Sequence, residues 1–299
     1  MSDVYSIVTE RMIALLEAGT APWRKTWRGG DSPRNLISKK PYRGVNTLLL
    51  GSAAFASPYW LTFNQVQQLG GRVKKGAKSE LVIFWKFFDS QKQTDDAQSS
   101  DERTSKRRPP ILRYYRVFNV EQTEGLEKHL PPPPEERPFT PIETAARIIE
   151  AMPQRPPIQH DEPSAYYAPA QDFVNLPRPE TFDTPENYYA VAFHELTHST
   201  GHESRLNRAG VAGSRLAAFG SADYSREELV AEMGSAFLCA ESGIESTLDN
   251  SAAYLKGWLG ALKGDARLIV TAASAAQRAA DFILGRKAQE SAESESVSE

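Results

Sequence analysis

The stretch Tyr189–His202, YAVAFHELTHSTGH, decides how the second half of the chain is read. It contains three of the five histidines, and His194 and His198 stand four apart with Glu195 between them. Side chains at i and i+4 of a helix project from one face a turn apart, so two imidazole nitrogens there can reach a single ion. A Glu directly after the first His can serve as general base to a water on that ion. The neighbours Val191, Ala192, Phe193, Leu196, Thr197, Ser199 and Thr200 are uncharged, which suits a helix sunk into a core. Thr184 is a good N-cap and Pro185 a good first helical residue, so the helix has a defined start. The competing reading is a half-buried helix with incidental histidines.

Two histidines do not close a catalytic metal site, which takes three protein ligands and an open position. A second helix is expected over SREELVAEMGSAFLCAESG, capped by Ser225 and stopped by Gly243. Glu228 and Glu232 share one of its faces. One of them can bind the ion while the other accepts the second N–H of a ligand histidine. Glu227 points about 100° away from that face and reads as a solvated charge at the helix start. His202 is a further candidate, as a ligand or as a group supporting the ligands, although Gly201 is expected to end the first helix and turn it aside. The third ligand is therefore Glu228, Glu232 or His202.

The first half has a different character. Residues 1–130 carry 21 Lys and Arg against 13 Asp and Glu, which leaves 14 against 25 for the remainder of a chain whose net charge is -3. Such a split suits two units with different partners, the first of them polyanionic. Trp23, Arg24, Lys25, Trp27, Lys39, Lys40, Tyr42 and Arg43 mix aromatic and basic side chains in one short region, and Lys74, Lys75 and Lys78 follow on a Gly-punctuated loop. Single-stranded DNA offers base faces to the first set and phosphates to both. Aromatic residues at this density also build cores, and Trp60, Phe84 and Phe87 are assigned there.

The break between units is expected at the proline run within residues 131–141. The architecture is then α+β: a mixed α/β DNA-binding unit over 1–130 and a mainly helical metallopeptidase unit over 142–285. Within the first unit, ELVIFWKFF and ILRYYRVFNV read as strands separated by a polar, disordered loop over 89–110. Residues 286–299 read as an acidic, disordered tail. The single cysteine, Cys239, excludes an intramolecular disulfide and fits a reducing cytoplasm. There is no run of about 18 apolar residues, so no membrane partner is expected.

Several of these stretches together resemble one family. HELTHSTGHESRLNR, YSREELVAEMGSAFL and NSAAYLKGWL look like the zincin-type metallopeptidase domain of ArdC-type antirestriction proteins, which are encoded on conjugative plasmids and mobile elements. APWRKTW, NLISKKPYRGVNTLLL, LTFNQVQQLGGRVKKGAKS and YYRVFNVEQTEGL resemble the single-stranded-DNA-binding domain of that family, found also in conjugative primases. The resemblance implies His194, His198 and Glu228 as metal ligands, Glu195 as the catalytic base, and Glu232 as a supporting residue. It implies Zn²⁺ as the ion, with Mn²⁺ as an alternative, and an edge strand near Tyr166–Leu176 to receive a peptide. The implied role is protection of incoming plasmid DNA during conjugation. The enzyme version cleaves a DNA-bound protein or a host restriction component. The rival version shields DNA and keeps its metal for structure or regulation.

Overall fold

The computed structural model of the chain describes residues 3–17, 32–53, 55–86, 111–131, 141–211, 222–244 and 252–286. Trp23, Arg24, Lys25, Trp27, Phe87, the loop expected over 89–110, nearly all of the proline linker and nearly all of the tail lie outside the described residues.

Helix α1 (Val4–Glu17) buries Val8, Met12 and Leu16 along one face. The chain then forms β1 (Arg34–Asn35), α2 (Val45–Gly51), β2 (Tyr59–Thr62), α3 (Phe63–Gln68), β3 (Arg72–Val73), β4 (Glu80–Lys86), β5 (Ile111–Asn119) and β6 (Thr123–Glu124). Thr62 opens α3 with a reciprocal cap: its Oγ1 accepts from the Gln65 N–H, and Gln65 Oε1 accepts from the Thr62 N–H. Gly70, at φ 78°, supplies the left-handed residue after that helix. Four strands pair in the order β1-β2-β5-β4, while β3 and β6 form a separate ribbon.

Register decides which side chains share a face of the larger sheet. Trp60 lies opposite Asn119, Thr62 opposite Val117, and Val82 opposite Tyr115. This face is closed by Tyr42 and Leu50 around Trp60, Val82 and Val117. The other face carries Leu61 opposite Phe118, Leu81 opposite Arg116, and Ile83 opposite Tyr114. At the sheet edge, the Asn46 amide donates to the Ile83 carbonyl and accepts from the Ile83 N–H, both at 2.8 Å. That side chain satisfies backbone groups which an edge strand would otherwise leave open.

The second unit begins with α4 (Pro141–Glu150), then a small sheet of β7 (Ile158–Gln159), β8 (Tyr166–Ala168) and β9 (Phe173–Asn175) in the order β7-β9-β8. Helices α5 (Pro185–Ser199), α6 (Ala222–Ser242), α7 (Ala252–Gly264) and α8 (Leu268–Ile283) follow. Helix α6 packs against both α5 and α8. Phe193, Leu196, Leu229, Met233 and Leu238 are essentially inaccessible at these contacts. Burial of each such side chain stabilises by about 1.5–3 kcal/mol. Ser225 is not the cap of α6, because the helix starts earlier, at Ala222.

The fold is thus α+β with an N-terminal sheet unit and a C-terminal helical unit, and one apolar cluster runs through both. Val8, Met12 and Leu16 of α1 and Leu48 and Leu49 of α2 belong to the same cluster as Leu229, Met233 and Ile269. Polar contacts follow the same seam. Thr9 Oγ1 donates to the Ala266 carbonyl at 2.7 Å, and the Gly44 N–H donates to Gln277 Oε1 at 3.1 Å.

Candidate metal centre and the basic surface

Helix α5 is positioned by its start. Thr184 Oγ1 accepts from the Asn187 N–H at 3.3 Å and Pro185 occupies the first turn. Nine residues on, His194 and His198 bring their rings to 4.8 Å between centroids at 77°, with Nε2 atoms 3.2 Å apart. Helix α6 then supplies carboxylates. Glu228 places one oxygen 3.7 Å from His194 Nε2 and the other 3.6 Å from His198 Nε2. One ligand atom from each of His194, His198 and Glu228 lies within 4.8 Å of the others, and these form the only such group found among the described residues.

These separations fit a small divalent ion. Ligands about 2.05 Å from a tetrahedral centre stand about 3.3 Å from one another, close to the 3.2 Å between the two Nε2 atoms. The Nδ1 atoms face away from this point, toward two further carboxylates. Glu232 Oε1 is 3.7 Å from His194 Nδ1, and Glu227 Oε1 is 3.3 Å from His198 Nδ1. Each ring therefore has a carboxylate behind it, the arrangement that fixes a ligand histidine's tautomer and orientation.

Glu227 corrects the sequence reading. It is buried, at 7% exposure, and is no solvated helix-start charge. Arg208 holds it through Nε at 3.0 Å and Nη2 at 2.5 Å, a fork-to-fork pair. The same guanidinium donates to Thr200 Oγ1 at 2.6 Å and to the Thr197 carbonyl at 2.8 Å, so it also clasps the end of α5. Burial pushes the Glu227 carboxyl up, but hydrogen bonds from His198 and Arg208 and their charges outweigh it and hold the group below its ordinary value. Nothing in the spacing of Arg208 announces this role, since it lies in an irregular segment after α5.

The electrostatics of the other groups follow the same balance. For Glu228, burial is opposed by the hydrogen bond from His194, the charges of His198 and His194, and a hydrogen bond from Tyr224; the net shift is downward. For His194, burial disfavours the charged ring. The Glu228 hydrogen bond and the charges of Glu195, Glu232 and Glu228 overcome this and push its pKa up to about 9. Glu195 is itself buried, at 8% exposure, one position from His194.

Close approach of α5 and α6 makes the cluster possible. A Cβ on Gly234 would lie 2.5 Å from Thr197 Cγ2, so only glycine lets the helices meet there. Ser235 Oγ adds a buried bond to the Ala190 carbonyl at 2.8 Å. His202 does not join the centre. It sits in the turn after α5, where its Nδ1 pairs with Ser204 Oγ at 2.8 Å. The helix has ended by then, so the i+4 relation to His198 no longer gives a shared face.

The residues expected to meet DNA divide as sharply. Tyr42 is 8% exposed and packs among Trp60, Val82 and Val117, so it is a core residue. The Arg43 guanidinium is paired with Asp281 of α8 and ties the two units together. Lys39 and Lys40 are exposed, and Lys39 Nζ stands 5.2 Å over the Tyr59 ring. Lys74, Lys75 and Lys78 are exposed on the segment between β3 and β4. Lys74 Nζ also donates to the Glu121 carbonyl at 2.8 Å. The Ala77 N–H returns to the Lys74 carbonyl at 3.1 Å with Gly76 at φ 84°, a turn that presents Lys75 at its tip.

Comparison with known proteins covers both units. Residues 2–118 match the family described as the N-terminal domain of anti-restriction factor ArdC, and residues 143–275 match a zincin-like metallopeptidase family. A DNA primase TraC of Escherichia coli is 36% identical over 293 residues, and the chain spans only 26% of that protein's length. The protein y4eC of Sinorhizobium fredii is 39% identical over 297 residues, covering 94% of this chain and 92% of that one. The Mn(II)-bound crystal structure of the antirestriction ArdC protein from plasmid R388 is 37% identical, with a TM-score of 0.73 over 95% of this chain and 98% of the other. Its metal-free form superposes with a TM-score of 0.72. By likeness in sequence and fold over nearly its whole length, this chain belongs to the ArdC antirestriction family.

Proposed function

We propose that the chain is a single-stranded-DNA-binding protein with a divalent-metal-dependent peptidase centre, and that it protects incoming plasmid DNA from restriction during conjugation. The observation that carries the peptidase reading is the convergence of His194, His198 and Glu228 around one point, with Glu195 beside them on α5. Two imidazoles and a carboxylate suit Zn²⁺ and also accept other first-row ions such as Mn²⁺. Zn²⁺ is the expected resident, and the relative from R388 has been crystallised with Mn(II). An ion held there supplies Lewis acidity to a peptide carbonyl and acidifies water.

The remaining work falls to side chains. Glu195 takes a proton from the attacking water and delivers it to the departing amine. Glu232 and Glu227 keep the imidazoles turned so that both Nε2 atoms face inward. Strand β8 is an edge strand that packs beside α5, and it can receive an extended peptide by strand addition. The substrate class is a protein bound to DNA, or a restriction component that meets the incoming strand. None of the described helices is long and apolar enough to cross a membrane. A cytoplasmic site of action is part of the same proposal.

Glu195→Gln tests the enzyme reading. The variant should keep its metal, measured by elemental analysis, and its single-strand affinity, while losing both proteolysis and protection of transferred plasmid. A second reading is favoured by the cluster shared between the units: the metal braces helices that also seat the DNA-binding sheet. On that reading Glu195→Gln protects as well as the parent, and only variants that lose the metal fail.

A further inference from the structure

Among the described residues, one strip on a face of the larger sheet is only partly covered. Helix α1 runs beside β4, with Tyr5 6.4 Å from Trp85 at one end and Arg11 beside Glu80 at the other. Helix α3 packs beyond β2, through Val66 on Leu61. Between them the register places Tyr114, Arg116 and Phe118 of β5 on the same face. Tyr114 is 45% exposed, and Phe63, at the start of α3, is 49% exposed. The Phe63 and Phe118 rings lie 6.5 Å apart at 60°. Phe63 and Tyr114 are too open to be core, Phe118 is half-buried beside Phe63, and Arg116 stands between Tyr114 and Phe118.

This strip is continuous with the lysine turn. Arg116 Nη1 reaches Ser79 Oγ at 3.4 Å, and Gln122 Nε2 donates to the Lys78 carbonyl at 2.8 Å, so the segment carrying Lys74, Lys75 and Lys78 is tied to the end of β5. Neither the stretch 69–79 nor the stretch 111–119 contains an acidic residue. Tyr114 and Phe118, four apart along a strand, are about 13 Å from each other. A sheet face of this kind can stack about two or three splayed bases while cations beside it follow the phosphates.

We propose that Phe63, Tyr114 and Phe118 are the base-stacking platform of a single-strand track, with Arg116 and the lysine turn as its phosphate rail. This rests on the single-strand reading given above and assigns its contact surface. These three add to the tryptophans expected to stack; the exposure of Tyr114 follows from sheet register and that of Phe63 from its place at the start of α3. Stacking is sequence-tolerant, because every base has a π-face. The track therefore accepts single-stranded DNA of any sequence and excludes paired DNA, whose base faces are already covered.

The test uses the full chain and a fluorescently labelled oligodeoxythymidine, with anisotropy measured across a salt series. Phe63→Ala with Tyr114→Ala should weaken binding about tenfold or more at fixed salt, with the salt slope nearly unchanged. Lys75→Ala with Lys78→Ala should lower that slope instead. Phe63→Tyr, which keeps an aromatic face, should restore most of the affinity in the Tyr114 background. An unchanged affinity in the double aromatic variant, while the parent binds, overturns the platform and leaves the single-strand reading standing. A parent that does not bind the oligonucleotide overturns both. A change of oligomeric state at constant DNA affinity identifies the strip as a self-association surface and also overturns the proposal. Unaltered melting temperature and metal content establish that the variants are folded.

Discussion

The metal centre and the open strip of the sheet are built on opposite principles. At the centre, four carboxylates and two imidazoles crowd a buried space, and the groups at its back are held by neighbours: Glu227 by Arg208, His198 by Glu227, Glu228 by Tyr224. On the strip, Phe63 and Tyr114 stand in solvent with few constraints. Buried charge is tolerated only when it is paired and hydrogen-bonded, so the centre is rigid and sensitive. An exposed aromatic has little to lose when it is changed, so the strip is tolerant in stability and sensitive only in binding.

The largest effect is expected where a ligand is removed. His194→Ala should reduce retained metal to background in elemental analysis, and stoichiometric retention by that variant would show that the ion is held elsewhere. Arg208→Ala comes next, because it leaves Glu227 buried without its partner. It should destabilise by about 3–5 kcal/mol in chemical denaturation, and lower metal affinity roughly 10–100-fold through the loosened His198 ring. A loss under 1 kcal/mol would mean that the Arg208–Glu227 pair is not what braces the centre.

pH should separate the two regions further. His194 has its folded-state pKa raised to about 9 from 6.5, so in metal-stripped protein its charge contributes stability that is fully present below pH 6.5. That contribution fades as pH rises through 9 and amounts to roughly 3 kcal/mol at most. Metal must displace the same proton, so affinity should climb up to about tenfold per pH unit as pH 9 is approached from below. Denaturation and metal titration from pH 6 to 10 read both trends, and a flat profile in both would remove the carboxylate cage around His194 as their cause. Gly234→Ala should cost about 1–3 kcal/mol by forcing α6 off Thr197, with weaker metal binding as its signature. Smallest of all, Lys75→Ala should leave stability within about 0.5 kcal/mol and register only in the salt dependence of DNA binding.

How much of this the sequence disclosed follows from the same contrast. Helical spacing is rigid, so the juxtaposition of His194 and His198, and of Glu228 and Glu232, could be read from offsets of four. The cap at Thr184 is local chemistry and is equally legible. The brace of Arg208 on Glu227 crosses between an irregular segment and a helix, and no local pattern encodes it. The sheet was less legible still. Strands β4 and β5 announce themselves by composition, but β1, β3, β6 and β7 are each two residues long and have no periodicity to detect. Tyr42 and Arg43 looked like a nucleic-acid motif because aromatic and basic residues serve cores and seams as readily as ligands. Only pairing register distinguishes Tyr114, which faces solvent, from Tyr115, which leans on Phe84.

The bond from Thr9 to the Ala266 carbonyl joins residues 257 positions apart. Its consequence concerns time. The apolar face of α1 leaves the ribosome well before α7 and α8, which pack against it, have been made. Contacts of such long sequence separation form late and slowly. Throughout synthesis that face is a sticky surface waiting for its seat, and a chaperone that shelters it would set the yield of folded protein.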